Sequence, residues 1–355
     1  MNEEKKLILK MLQEGKISVD EAENLLNALG NEKGDNFINQ FANKLSASIE
    51  KVISKAGEFV GNIDFDEIID NSKKFAANFS LSFEDEKEFE QDVEDIEIDI
   101  PNADVKVEKT QKNKIILNEK IYIKDKFAGS NLLESKVEDG KLIIKLKDEE
   151  TSKDDFNVKL KISLPKNSYN DFSFETVNGY FMLKDVDFNN INVNTVNGEV
   201  VVENTTSNIK TESVNGGMVA KNVNGNIESK TVNGSIKLFS VVGGYLKGEC
   251  TNGRLKADSI NLDQVIFNTQ NGIVNIENIK DASEFDIQTG TGSIKIDTTG
   301  FDKVINASVD SNSCTISEKF KNRSENNGIY EVSNNSGEAD LVIKAKSSQG
   351  SVSIK

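Results

Sequence analysis

The side chains that carry most enzyme chemistry are scarce in this sequence of 355 residues. It contains no histidine, two cysteines (Cys250 and Cys314) and two arginines (Arg254 and Arg323). Without histidine there is no Ser–His or Cys–His nucleophile and no imidazole ligand for a metal. Two cysteines are too few for a disulfide framework or a four-thiolate zinc site. We therefore expect no cofactor and no metal, and we predict that the cysteines are separate core thiols.

Carboxylates are abundant, and two of them could form the acid pair of a glycosidase. The sequence has 59 acidic and 43 basic side chains, a net charge of −16, which argues against nucleic-acid binding because basic residues supply most of that affinity. The aspartates of the second half share no repeat position beside Arg254, so we interpret them as surface turn residues. They are Asp258, Asp263, Asp286, Asp297 and Asp302. The sequence predicts that the protein is not an enzyme.

An Asn-Gly pair returns at a nearly constant step from about residue 171 onward. The steps between successive asparagines are 19, 18, 18, 19 and 19 residues. A fixed period of this length with short β segments is typical of a stacked repeat protein, because one repeat cannot bury its apolar face alone. We interpret the pairs as structural repeat corners. They are Asn178 and Gly179, Asn197 and Gly198, Asn215 and Gly216, Asn233 and Gly234, Asn252 and Gly253, and Asn271 and Gly272.

The fold class predicted from this period is mainly β: a parallel β-solenoid, or β-helix, with about 19 residues per rung, preceded by an α-helical N-terminal region. Asparagine and glycine tolerate the left-handed backbone that a corner needs, and their equivalent placement permits an asparagine ladder between rungs. The alternative is an antiparallel sheet in which each pair forms a type I′ hairpin turn. The constant step argues against this alternative, because a β-sandwich would show irregular spacing.

Two stretches before the repeats have apolar residues at helical spacing. Residues 1–30 are predicted to form a helical hairpin module, and its second helix lacks Lys and Arg, which disfavours DNA recognition. Residues 31–83 are predicted to form amphipathic helices. Segment 36–62 has a net charge of only +1, so burial of its apolar face is favoured over membrane contact, which stays open. This docking or membrane face comprises Phe37, Phe41, Leu45, Ile49, Val52 and Phe59.

Composition and alternation set the remaining boundaries. Residues 84–99 hold ten acidic residues and one lysine, and we predict an acidic linker that runs into the first strand. Residues 92–170 alternate between apolar and polar types and are predicted to be an N-terminal β part. Residues 171–355 are predicted to form the Asn-Gly repeat β-solenoid.

Two parts of the sequence resemble known bacterial modules. The stretch Leu160-Lys-Ile-Ser-Leu-Pro-Lys, followed by Phe174-Glu-Thr-Val-Asn-Gly and further Thr-Val-Asn-Gly copies, resembles the bacterial putative-adhesin β-repeat family, a domain of unknown function. Residues 9–29 resemble the short helical-hairpin module often fused ahead of it. The pairing is similar to Lia-type cell-envelope stress proteins. The resemblance implies a β-solenoid without known catalytic residues and a role at the envelope or in stress signalling.

The predicted function is that of a non-catalytic interaction protein of the cell-envelope stress response or of adhesion-like binding, with helices for docking or self-association. A protein partner or self-association is expected, and neither nucleic acid nor a small-molecule substrate is. The sequence shows no signal peptide and no transmembrane run, so the expected localisation is cytoplasmic; the alternative is a peripheral position at the membrane or cell surface. Alternatives for function are a cytoplasmic self-assembling scaffold and, more remotely, a glycan-active enzyme.

Overall fold

A computed structural model describes residues 81–124, 132–147, 156–326 and 328–355, and the described strands all belong to one sheet. In chain order they are β1 Leu81–Phe89, β2 Asp95–Asp99, β3 Ala103–Lys109, β4 Ile115–Ile123, β5 Leu133–Glu138, β6 Lys141–Leu146, β7 Phe156–Leu164, β8 Ser168–Asn178, β9 Phe181–Lys184, β10 Asp187–Asn197, β11 Val200–Thr206, β12 Asn208–Asn215, β13 Met218–Asn224, β14 Ile227–Asp258, β15 Asn261–Glu277, β16 Glu284–Ile296, β17 Ile305–Ile316, β18 Asn322–Asn326, β19 Ile329–Ser333 and β20 Leu341–Ile354.

Alternating side chains explain why these stretches form strands around a core. In β7, Val158, Leu160 and Ile162 are buried, and the residues between them are more exposed. Successive side chains of a strand point to opposite sides, so this pattern puts one side against the core. A single cluster of buried apolar residues runs from Val93 to Ile354. The sheet therefore curls around one continuous interior.

Neighbouring repeats pair in parallel, in register with the Asn-Gly period. Asn197 of β10 pairs with Asn178 of β8 and with Asn215 of β12. The second strand of each repeat does the same, since β11 lies between β9 and β13. Later repeats continue through β14, β15 and β16. Each repeat thus contributes two strand segments to the curled sheet, and we call one such repeat a coil.

Strands at both ends of the sheet are inserted out of chain order. Near the N-terminal end, β2 lies between β6 and β8, and β3 lies between β7 and β9. Near the C-terminal end, β20 lies between β16 and β17, although it follows both in sequence. Each insertion needs pairing between residues that are far apart along the chain. β20, the last strand, therefore lies inside the sheet and not at its edge.

The outermost strands of the sheet are antiparallel. β1 pairs with β4, β4 with β7, and β5 with β6 at one end; β17 pairs with β19, and β19 with β18, at the other. All five residues of β18 are exposed. A short, charged edge strand of this kind discourages pairing with another chain.

The predicted fold class, a parallel β-solenoid preceded by an α-helical region, is wrong as stated. The sheet is mixed, with five antiparallel pairings at its ends, and none of the described residues is helical. The Asn-Gly period describes only the parallel part. The end strands do not repeat the pair at this period, and Asn327-Gly328 falls between the antiparallel strands β18 and β19. The alternation of a strand does not distinguish a parallel from an antiparallel neighbour.

The predicted N-terminal helices over 1–30 and 31–83 lie outside the described residues, except that residues 81–83 begin β1. The docking face, Phe37, Phe41, Leu45, Ile49, Val52 and Phe59, lies outside them as well. The stretch 84–99, predicted as an acidic linker, instead contains most of β1 and all of β2. Lysines opposite β1 make this possible, because Glu84 pairs with Lys120 in register and their side chains form a salt bridge of 2.5 Å.

Candidate functional site

The asparagines of the Asn-Gly pairs form one ladder along the stack of coils. The Nδ2 of each donates a hydrogen bond to the Oδ1 of the asparagine one coil earlier, at 2.8–3.0 Å. The ladder runs through Asn178, Asn197, Asn215, Asn233, Asn252 and Asn271, and Asn178 donates in turn to Asn102 at 2.8 Å. Each amide thus fixes the register of its coil against the one before it.

The glycines beside the ladder are required by close approach of the backbone. A Cβ on Gly198 would lie 1.8 Å from the carbonyl oxygen of Gly179. At the other glycines of the column, the Cβ would lie 1.8–2.2 Å from a carbonyl oxygen of the neighbouring coil. The column comprises Gly179, Gly198, Gly216, Gly234, Gly253, Gly272, Gly292 and Gly350. The six glycines of the predicted corners do not have a left-handed φ. The expectation that these corners use a left-handed backbone is therefore wrong; glycine is needed because no side chain fits between two coils.

The left-handed backbone occurs in a second column, which the sequence analysis missed. Six non-glycine residues with φ between 52° and 59° each lie seven residues after an asparagine of the ladder. They are Asp185, Asn204, Asn222, Ser240, Ser259 and Asn278. Asn204 and Asn222 also donate through Nδ2 to the preceding member of the column at 2.8 Å. Small polar residues suit this conformation because they hydrogen-bond locally.

An apolar cluster lies on the outer side of the sheet. Met182, Val201 and Val219 are each flanked in their strand by two core residues, so they point away from the core. They are nevertheless only 4–6% exposed, and they form a cluster of their own with Phe239 packed against it. We call Met182, Val201, Val219 and Phe239 the outer patch.

Four valines next to the asparagine ladder are also shielded from water without belonging to the core cluster. They are Val177, Val196, Val214 and Val232, each immediately before an asparagine of the ladder. Each is 3–7% exposed, but none belongs to the core cluster of the described residues. We call them the valine column. The valine column does not belong to the cluster of the outer patch; it lies on the first strand segments of the coils, and Met182, Val201 and Val219 lie on the second.

A sequence signal for the outer patch exists. Three consecutive apolar residues follow the corner in the early coils, as in Phe181-Met-Leu183 and Val200-Val-Val202. Later coils place a lysine in the middle, as in Ile236-Lys-Leu238 and Leu255-Lys-Ala257. An apolar residue where alternation demands a polar one indicates that the outer side is covered.

A cleft of about 530 Å³ lies over β1, β3, β4 and β7. Its lining is charged with both signs and includes Lys106, Lys159, Glu84 and Glu119. Glu119 is buried, and Lys87 holds it at 2.8 Å. The salt bridge between Lys87 and Glu119 therefore joins β1 to β4 beside the cleft.

Two acidic side chains near the first coils are shifted toward their neutral form. Burial raises the pKa of Asp104, partly offset by the backbone N–H of Tyr180, which donates to its carboxylate at 3.0 Å. Burial also raises the pKa of Glu199, and Lys237 offsets this shift in part. Neither acid has a histidine or cysteine to pass a proton to, since the sequence lacks the first and both cysteines lie elsewhere.

The two cysteines are free thiols. Cys250 is buried, its Sγ donates to Thr269 Oγ1 at 3.0 Å, and burial raises its pKa. Burial raises the pKa of Cys314 too, against the opposing effect of Arg323. A raised pKa lowers the thiolate fraction and therefore the reactivity. Among the described residues, no group of three or more acidic or cysteine side chains could hold a metal ion. The described part of the chain also holds no helix with the length and apolar character to cross a membrane.

Two family models match the chain. A model described as Toastrack DUF4097 matches residues 93–355, and a model described as a SHOCT-like domain matches residues 3–34. The search of curated proteins finds no match.

Several solved structures are similar at low sequence identity. A putative adhesin from Parabacteroides distasonis is 12% identical with a TM-score of 0.47, and the match covers 77% of this chain and 97% of that one. A putative adhesin from Parabacteroides merdae is 14% identical with a TM-score of 0.45, covering 77% and 96%. A third, from Bacteroides fragilis, is 14% identical with a TM-score of 0.40, covering 77% and 97%.

Proposed function

Because the chain belongs to the Toastrack DUF4097 family, we propose that it is a non-catalytic binding protein of the bacterial cell envelope. The predicted membership of the putative-adhesin β-repeat family is confirmed by the match over residues 93–355. The link to envelope stress rests on the resemblance to Lia-type proteins and belongs to the proposal. So does the role of the N-terminal residues in docking or self-association.

The observation that carries the proposal is a regular polar face on the outer side of the first strand segments. Outward residues alternate with buried ones: Asn192 and Asn194 in β10, Lys210 and Glu212 in β12, and Glu228, Lys230, Lys247 and Glu249 in β14. We call these eight residues the polar face. Ion pairs hold part of it in place, as between Lys230 and Glu249 at 3.6 Å.

Such a face suits binding because its side chains are held on a rigid sheet. Equivalent residues of successive coils lie about 4.8 Å apart, so the face presents rows of amides and opposite charges at a constant spacing. Ordering fewer flexible groups on association lowers the entropic cost of binding. The mixture of charges matches a folded protein surface that is itself polar. We propose a protein partner of the envelope.

The proposal places the protein at the periphery of the envelope, on the cytoplasmic side. Separation of cells into cytosol, membrane and surface fractions tests this placement. We expect the protein to be recovered with the membrane fraction and to be released from it by high salt, because polar contacts weaken as ionic strength rises. Recovery from the cell surface alone would overturn the cytoplasmic assignment.

The binding proposal is tested by co-sedimentation of the full chain with isolated bacterial cell envelopes. The test variant carries Lys210→Glu and Lys230→Glu on the polar face. The matched control carries Lys280→Glu and Lys295→Glu, two exposed lysines outside both the polar face and the outer patch, one between β15 and β16 and one on the outer side of β16. We expect the polar-face variant to bind about tenfold more weakly or worse, as reversal of interface charges does, and the control to bind like the unmodified chain. Equal binding of all three proteins, or no binding at all, would refute the proposal.

A further inference from the structure

The outer patch is shielded from water although its side chains point away from the core. Met182, Val201 and Val219 are 4%, 6% and 5% exposed. One coil further, the same position is Lys237, which is half-buried, and Ile273, an apolar side chain elsewhere on the outer surface, is 41% exposed. Outward apolar residues of this sheet are therefore not buried by the sheet itself.

The cover cannot come from the described strands. All of them lie in the one curled sheet, so none packs over its outer side. Of the short internal segments outside the described residues, 148–155 holds no apolar residue and 125–131 holds only Phe127 and Ala128. The residues that precede β1 are the remaining part of the chain with enough apolar side chains.

We propose that residues 36–62 of the same chain dock on the outer patch and the valine column. Phe37, Phe41, Leu45 and Ile49 recur every four residues, a spacing that puts apolar side chains on one face of the helix predicted from the sequence. Its net charge is +1 in a chain whose total is −16, which makes it one of the few stretches that the acidic sheet does not repel. This inference goes beyond the proposed function, because it requires no external partner.

The segment can reach this surface. β1 begins at Leu81 and lies in the sheet four steps from β9, in the order β1, β4, β7, β3, β9. With strands about 4.8 Å apart, the distance is about 19 Å. The connecting residues 63–80 can span about 60 Å when extended, at roughly 3.3 Å per residue. The outer patch itself extends over four strands, about 14 Å, which a segment of this length covers.

A second copy of the chain is a poorer occupant. The outer patch and valine column together comprise eight side chains, and Phe239 is only half-buried. A stable interface between two proteins needs about 800 Å² from each partner, or 20–30 residues a side. Eight side chains fall well short of that, whereas a tethered segment needs far less area because its local concentration is high.

The test is amine cross-linking of the full chain, read by mass spectrometry on an equal mixture of light and isotopically heavy protein. Lys44, Lys51 and Lys55 lie in the docking segment, and Lys184 and Lys221 border the outer patch. We expect links between these two groups that are all light or all heavy. Mixed light–heavy links would overturn the proposal in favour of a second copy. The choice of segment would be overturned if Lys184 and Lys221 were linked only to Lys73 and Lys74, or were not linked to the N-terminal residues at all.

Variants on both partners make the test specific. Val201→Glu with Val219→Glu should lower the yield of these links about tenfold, because an unpaired carboxylate is strongly disfavoured in an apolar contact. Ile273→Glu is the matched control and should change nothing, since Ile273 is already exposed. Phe41→Ser should also lower the yield, and Asn43→Ser should not. Unchanged yields in the patch and Phe41 variants would refute docking. Because the links are measured without envelopes, they are independent of the binding assay.

Discussion

The glycine column gives the sharpest prediction, for the substitution Gly198→Ala. A Cβ at this position would lie 1.8 Å from the carbonyl oxygen of Gly179 in the preceding coil. Real Cβ atoms essentially never come within 3.0 Å of such an atom, so the two coils must separate locally by at least 1.2 Å, from 1.8 to 3.0 Å. The obstacle is backbone and not the end of a flexible side chain, so no rotamer change relieves it.

The separation breaks contacts that join the same two coils. Gly179 donates its backbone N–H to Asn197 at 3.0 Å, and Asn197 Nδ2 donates to Asn178 Oδ1 at 2.8 Å. Stretching each by more than 1 Å takes it beyond hydrogen-bonding distance. Two hydrogen bonds at about 1 kcal/mol each, together with residual strain, give an expected loss of about 2–4 kcal/mol in the free energy of unfolding.

The assay is urea unfolding of the full chain, followed by far-ultraviolet circular dichroism. Gly337→Ala is the matched control, because its Cβ would meet only Val304 Cγ2 at 3.5 Å, an ordinary contact. We expect the free energy of unfolding of the Gly198→Ala variant to fall clearly. That of the control should stay within about 0.5 kcal/mol of the unmodified chain. A loss below about 1 kcal/mol for Gly198→Ala would refute the reasoning, because the coils would then not approach as closely as described.

Three further predictions concern other parts of the coils. Asn204→Ala should cost about 1–2 kcal/mol in urea unfolding and Asn204→Gly less, because the φ of 54° suits glycine; a larger loss with glycine would contradict the left-handed column. The raised pKa of Asp104 means that the folded state holds this proton more tightly, so its contribution to stability falls as pH rises above the ordinary value of 3.8. Asp104→Asn, which keeps an acceptor for Tyr180, should remove this fall, and parallel stability–pH curves of variant and parent would contradict it. The Cys250 thiol should react with a disulfide reagent only on unfolding, and fast reaction of the folded chain would contradict its burial.

The repeat was the part of the fold most accessible to sequence reasoning. The 18- and 19-residue steps between Asn178, Asn197 and Asn215 carry the information that these residues are equivalent, and the structure places them in register. The role of the glycines was misjudged, because a glycine that adopts a left-handed backbone and one that lies against another backbone look the same in sequence. The left-handed residues, such as Asn204 and Asn222, carried a signal that was overlooked: the same period, seven residues later.

The ends of the sheet could not be predicted from one sequence. Insertion of β20 between β16 and β17, and of β2 between β6 and β8, depends on which strand edges are free once the coils have formed. No local pattern records this. The acidic residues of β1 suggested a solvated linker because their lysine partners lie far along the chain in β4, as Lys120 does, 36 residues after Glu84. The self-assembling scaffold and the N-terminal helical hairpin remain predictions.

Both surfaces proposed for binding depend on the register set by the asparagine ladder, and nuclear magnetic resonance of protein labelled only in asparagine tests it directly. The side-chain amides of Asn178, Asn197, Asn215, Asn233, Asn252 and Asn271 should show cross-peaks in that order, each with its neighbour one coil away, since successive amides are joined at 2.8–3.0 Å. Cross-peaks that skip a coil or join these amides to other asparagines, or no cross-peaks among them, would contradict the account.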